Sequence, residues 1–118
     1  MVKTILHLSG DYKWECEAIS NIIKNGIEHS NQNGMIKVNY RKLSVYTEIA
    51  IEDNGKGMDA KDLKHIFERF YKGKNSASES IGIGLSLSKK IIENDNGYIM
   101  VESMLGEGTK FVVRYMEK

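Results

Sequence analysis

Residues 44–57 read SVYTEIAIEDNGKG, an alternating run that passes without interruption into an Asp-Asn-Gly turn. Val45, Thr47, Ile49 and Ile51 share one parity, and Tyr46, Glu48 and Ala50 the other. That two-residue period belongs to a strand with one face packed and one face wet. By the same parity Asp53 continues the Ile49/Ile51 face, so its carboxylate points where the apolar side chains point. A carboxylate in that position must find hydrogen-bond donors. The Asp-Asn-Gly turn can supply them itself, or the exocyclic amine of adenine can. Gly55 and Gly57 would let the backbone approach a flat ring and turn sharply behind it.

Working outward, residues 35–41 form a second β-rich run, with a turn at 31–34 before it. Asp59 can cap a helix carrying Leu63, Ile66, Phe67 and Phe70. Upstream, Asp11 can cap a longer helix to about residue 29, with Ile19, Ile22, Ile23 and Ile27 on one side. A third helix is expected over residues 85–94. It stops at Asn96-Gly97, where Gly can take the left-handed conformation. Residues 98–104 and 109–116 form a strand pair joined by LGEG, and residues 2–8 a short strand. About five strands and three helices make the class α+β. The economical arrangement is a two-layer α/β sandwich, a mixed sheet with the helices over one face.

The chain has 118 residues, 41% of them hydrophobic, which fits one domain over 1–118 with a single core. Seventeen basic and sixteen acidic residues leave a formal charge of +1, which gives no general argument for nucleic acid or an anionic membrane. The single Cys16 suits a reducing cytosol. No apolar run approaches the roughly 20 residues of a spanning helix. Gly, Ser and Asn dominate residues 73–84 (GKNSASESIGIG), which read as a mobile loop.

Three further groups carry chemistry. Asn21 and Asn25 lie four apart, so both project from one face of the first helix. Such carboxamides suit either a solvated helix face or Mg²⁺ held mainly by phosphates and water. Residues 82–87 (GIGLSL) lead into the third helix, where backbone N–H groups and the positive dipole end can receive an anion. No βαβ unit surrounds these glycines and no Walker-type lysine follows them, so neither dinucleotide nor P-loop chemistry is indicated. Residues 67–71 (FERFY) precede Lys72 and Lys74, cations that either form a solvated turn or reach a terminal phosphate when the loop closes.

The order NxxxN, DNGKGM, IFERFYKG, GIGLSL, GEGT resembles the successive sequence boxes of the histidine-kinase catalytic domain, within the superfamily of gyrase, Hsp90 and MutL ATPases. The resemblance covers residues 11–115 and implies a Bergerat-type fold with ATP between helices and a lid. It implies that Asn25 ligates Mg²⁺ and that Asn21 supports the phosphates. Asp53 would bind adenine, with Gly55 and Gly57 shaping that pocket and Thr109 supporting it. Gly82 and Gly84 would hinge the lid near the phosphates, followed by Leu85, and Lys72 would face the γ-phosphate. Three positions depart from the pattern. Glu28 stands where many members carry lysine, His29 where many carry a tyrosine over adenine, and Ser86 where a third glycine is common. His29 can still stack.

In gyrase-like relatives a glutamate four residues before the metal-binding asparagine activates water. Here that place holds Asn21, an amide without useful basicity. The resemblance therefore implies weak ATP hydrolysis, and transfer of the γ-phosphoryl group to a histidine on a separate dimerisation and phosphoacceptor domain. A response regulator would follow in two-component signalling. His7, His29 and His65 lack the context of such an acceptor, so the chain is expected to be the cytoplasmic fragment of a membrane-anchored parent. Competing readings are a serine kinase of the same superfamily, a nucleotide-operated dimerisation clamp, and an interaction module without catalysis. Asn21 argues against the first two, and the intact Asn25, Asp53 and glycines against the third.

Overall fold

A computed structural model describes residues 12–28, 34–68 and 84–116, with side chains in the first segment from 16 to 27. The chain order is α1 (Tyr12–Glu28), β1 (Ile36–Lys42), β2 (Tyr46–Asp53), α2 (Ala60–His65), α3 (Gly84–Asn94), β3 (Gly97–Met104) and β4 (Gly108–Met116). The expected strand over 2–8, the Asp11 cap, the turn at 31–33 and the loop from 73 to 83 lie outside the described residues.

The four described strands form one sheet in the order β1-β2-β4-β3, every neighbouring pair antiparallel. The alternation read at 47, 49, 51 and 53 is the observed one: those residues are buried, and their even-numbered neighbours are not. Strand β4 repeats the pattern with Thr109, Phe111, Val113 and Tyr115. Register carries the buried parity across the sheet, since Ile51 pairs with Phe111 and Ile49 with Val113. Ala18, Ile19, Ile22, Ile66 and Ile92 complete the core from the helical layer.

Helices α1 and α3 pack closely because both present small residues at their contact. Ser88 is fully buried on α3 and donates its hydroxyl to the Ala18 carbonyl of α1 at 2.7 Å. That bond satisfies a polar atom which would otherwise weaken the core. Beyond the helix pair, Phe67 meets Phe111 edge to face with centroids 6.3 Å apart, and the Lys89 ammonium lies over the Phe67 ring.

Three local expectations change. On α1 Ile19, Ile22 and Ile23 pack against the core as expected, but Ile27 is 57% exposed and the packed side runs on through Ala18 and Gly26. Helix α2 begins at its Asp59 cap, whose carboxylate accepts from the Asp62 N–H at 2.8 Å. It ends at His65, with a tighter turn from Glu68 N–H to the His65 carbonyl, so Phe67 follows the helix. After α3 it is Asn96, at φ 63°, that takes the left-handed conformation. Gly97 serves close approach instead: a Cβ there would stand 2.9 Å from the Arg114 carbonyl oxygen, Ile92 and Tyr115.

On the outer face Arg41, Glu48, Arg114 and Tyr98 occupy one row across all four strands. Glu48 accepts from Arg114 Nε at 2.8 Å and from Arg41 at 3.0 Å. The Arg114 hydrogen bond, with a smaller contribution from Arg41, holds the Glu48 carboxyl below its ordinary value of 4.5. A depressed folded-state value stabilises the fold above the unfolded one and loses that contribution as pH falls through and below it. Replacement Glu48→Gln is expected to lower stability at about pH 7, and the difference from wild type should be smaller at an acid pH below the ordinary carboxylate range. Urea unfolding at both pH values checks this.

Candidate functional site

Asp53 ends β2 on the buried face, 8% exposed, opposite Ile36 on β1 and Thr109 on β4. Ser103 on β3 pairs in turn with Thr109. Ile36, Asp53, Thr109 and Ser103 therefore form one row across the sheet, spaced by neighbouring-strand distances. The chain turns after Asp53 because its Oδ1 accepts the Gly55 N–H at 2.9 Å, an Asx turn. Asn54 holds the adjoining strand: its Oδ1 accepts the Met35 N–H at 2.8 Å and its N–H meets the Met35 carbonyl at 3.3 Å.

The glycine loop then lies against the tip of the β3–β4 hairpin. Gly106 N–H donates to the Lys56 carbonyl at 2.7 Å, and Met58 N–H donates to Ser103 Oγ at 2.7 Å. Gly57 has φ 73°, and a Cβ on it would fall 2.0 Å from the Met104 carbonyl oxygen. Gly108 has φ 125°, and a Cβ there would fall 2.1 Å from the Asp53 carbonyl oxygen. Both positions combine a backbone conformation that L side chains rarely adopt with an approach only glycine allows.

Helix α1 closes the same corner from the other layer. A Cβ on Gly26 would lie 3.5 Å from Asp53 Oδ2 and 3.3 Å from Ile36, so the helix backbone stands close beside the carboxylate. Asn25 is the next residue back along α1 and is half-buried. One turn further on, Asn21 is half-buried with its Nδ2 3.5 Å from the Gly84 carbonyl oxygen, where α3 begins. Five residues of helix, about 7.5 Å along the axis, thus separate the carboxylate corner from the start of α3. Leu85 packs against the core beside it.

Asn21, Asn25, Asp53, Gly55, Gly57, Gly84 and Thr109 are gathered around this one edge of the helix–sheet interface. His29, Lys72 and Gly82 lie outside the described residues, as does the Glu28 side chain. Gly26 and Ser103 were not singled out from the sequence. Parity could have found Ser103, an inward-facing hydroxyl near the end of a strand whose hairpin register sets 103 against 109. Nothing local marks Gly26, because its role depends on what stands opposite it.

The corner offers a buried carboxylate to a hydrogen-bond donor, glycine surfaces to a flat group, and a helix start to an anion. Among the described residues no three His, Cys, Asp or Glu side chains cluster to hold a metal. A divalent ion here would have to share carboxamide oxygens with oxygens of a bound ligand.

Residues 10–118 match the family described as histidine kinase-, DNA gyrase B-, and HSP90-like ATPase. The sensor histidine kinase YclK of Bacillus subtilis is 38% identical over 108 residues, covering 88% of this chain and 23% of that protein. The heme sensor protein HssS of Staphylococcus saprophyticus is 34% identical over 110 residues, covering 93% and 24%. The chain thus spans about a quarter of the length of these curated relatives. In structure it resembles the mycobacterial sensor histidine kinase MprB, with a TM-score of 0.83 at 23% identity over 92% of this chain and 76% of that one. It also resembles the catalytic domain of the histidine kinase ThkA, with a TM-score of 0.77 at 24% identity over 91% and 69%. At these identities the structural likeness concerns the fold.

Alanine substitutions separate conformation from crowding among the three positive-φ glycines of the described residues. Gly106 has φ 82° with nothing within 4 Å of an added Cβ, so Gly106→Ala should cost about 1–2 kcal/mol. Gly57→Ala and Gly108→Ala, each against backbone, should cost about 3 kcal/mol or more. Chemical denaturation of the three variants measures the order.

Proposed function

The chain belongs to the histidine kinase-, DNA gyrase B- and HSP90-like ATPase family, and from that premise we propose that it binds ATP·Mg²⁺ and phosphorylates a histidine on a separate domain. What supports the reading most is the meeting of Asp53 with the Gly26 turn of α1, one residue from Asn25. Residues 28 positions apart in sequence thereby border a single corner. A carboxylate excluded from water is a strong acceptor for a donor of matching shape, and the exocyclic amine of adenine is such a donor. Gly55 and Gly57 are the proposed shapers of the pocket beside it.

When bound, ATP supplies the transferable phosphoryl group, and Mg²⁺ offsets the charge on its oxygens. Asn25 is the proposed metal ligand and Asn21 the proposed support for the phosphates. The start of α3 at Gly84, with Gly82 before it, would receive the phosphates through backbone N–H groups. Lys72 is the proposed cation for the terminal phosphate, and His29 the proposed stacking partner of the base. Thr109 would back the base beside Asp53, with Leu85 at the edge. The chain's own groups thus bind, orient and neutralise, and Asn21 provides no base for water. A neutral imidazole is nucleophilic near neutral pH without one.

The acceptor would be a phosphoacceptor histidine domain of the same parent protein, with a response regulator downstream. No helix of the described residues is long and apolar enough to cross a membrane. We place this domain on the cytoplasmic side of a parent anchored in the cell membrane.

Calorimetric titration with ADP·Mg²⁺ should give micromolar binding for the wild type. Asp53→Asn should weaken it at least about 100-fold, because an amide turns a donor towards the ligand amine. Labelled ATP mixed with the chain and a matching acceptor domain should yield phosphohistidine, and the chain alone should hydrolyse ATP only slowly. Absence of nucleotide binding, or binding unchanged in Asp53→Asn, would sink the reading.

A further inference from the structure

Ser103 belongs to the row that contains Thr109 and Asp53, and its hydroxyl oxygen has three polar neighbours. The Met58 N–H lies at 2.7 Å, the Gly108 carbonyl oxygen at 2.9 Å and Thr109 Oγ1 at 2.8 Å. A hydroxyl has one proton and two lone pairs. The amide of Met58 can only donate, so it occupies one lone pair. The carbonyl of Gly108 can only accept, so it takes the Ser103 proton. Thr109 is left to donate into the second lone pair. Its proton is committed to Ser103, and Thr109 Oγ1 meets the rest of its surroundings as an acceptor.

Asp53, next in the row, is also an acceptor when ionised. We propose that Ser103 is a positioning residue that makes the site select a 6-aminopurine over a 6-oxopurine, by holding the Thr109 hydroxyl in its accepting sense. The inference rests on the reading that a purine lies against Asp53. The 6-amino group of adenine donates and finds acceptors. The 6-oxo group of hypoxanthine presents lone pairs to lone pairs, and nothing in the row turns a proton towards it. Without the Ser103 hydroxyl, the Thr109 proton is released, and the side chain can donate to the 6-oxo group. Two consequences of removing Ser103 are thus separable: a looser glycine loop weakens every nucleotide, whereas a freed Thr109 changes the ratio between bases.

The test titrates the full chain with ADP·Mg²⁺ and with IDP·Mg²⁺ and follows the ratio of the two affinities. Wild type should prefer ADP, and Ser103→Ala should reduce that preference by roughly tenfold. Ser103→Thr keeps a hydroxyl on a strand residue and should retain the preference. Thr109→Val should also shrink the ratio, and this arm stands even where Ser103→Ala fails to fold. The double variant should shrink it no further than Thr109→Val alone, because Ser103 acts through Thr109. Equal weakening of ADP and IDP in Ser103→Ala, with the ratio kept, would overturn the inference while leaving the nucleotide site intact. A wild-type chain that binds neither nucleotide would remove the site reading and this inference together.

Discussion

A carboxylate withdrawn from water at the end of β2 constrains everything around it. Leaving an ionised group there without hydrogen bonds would cost several kcal/mol. The Asx turn to Gly55 N–H meets part of that demand. Other elements close in around the carboxylate. Gly108 brings β4 to the Asp53 backbone, and Gly26 brings α1 to its side chain. At Gly108 the approach allows no Cβ, and at Gly26 it is close to ordinary contact, so two glycines far apart in the chain converge on one corner.

The helical layer carries that corner to the start of α3. Helix α1 is locked against the sheet by Ile19 and Ile22 and against α3 by the buried Ser88–Ala18 bond. With its rotation and height set by the core, its half-buried side delivers Asn21 to Gly84 and its packed side delivers Gly26 to Asp53. Site geometry is therefore a consequence of core packing. A shift of α1 by one residue would turn its residues through about 100° and separate both contacts. The outer face of the sheet is built on another principle. There the row Arg41–Glu48–Arg114–Tyr98 crosses the four described strands, with Glu48 paired to an arginine on either side. Such a face resists burial, which leaves the helix-covered face as the place for a ligand.

Much of the fold was legible because it rests on local periodicity. The alternation of β2 located Asp53 on the buried face before any partner was known. The strand pair around LGEG and the Asp59 cap were equally local and are observed. Where local reading failed, a tertiary contact had decided. The sequence of α1 suggests Ile27 for the packed side, yet Gly26 takes the buried position there, close to Asp53 and Ile36, and Ile27 is turned outward. At the end of α3 the left-handed residue is Asn96, since Gly97 is held in an ordinary conformation by the backbone of β4 pressed against it.

Composition, periodicity and the order of short motifs by themselves determined an α+β domain, the parity of its strands and the family to which it belongs. These properties depend on neighbours within a few residues or on motif order along the chain. Tertiary structure alone decided that Asp53, Thr109 and Ser103 stand in one row, and that Gly26 and Asn21 touch opposite ends of one corner. Strand register and helix rotation are set by packing between distant segments. No run of residues encodes which atom stands opposite another until the core has closed.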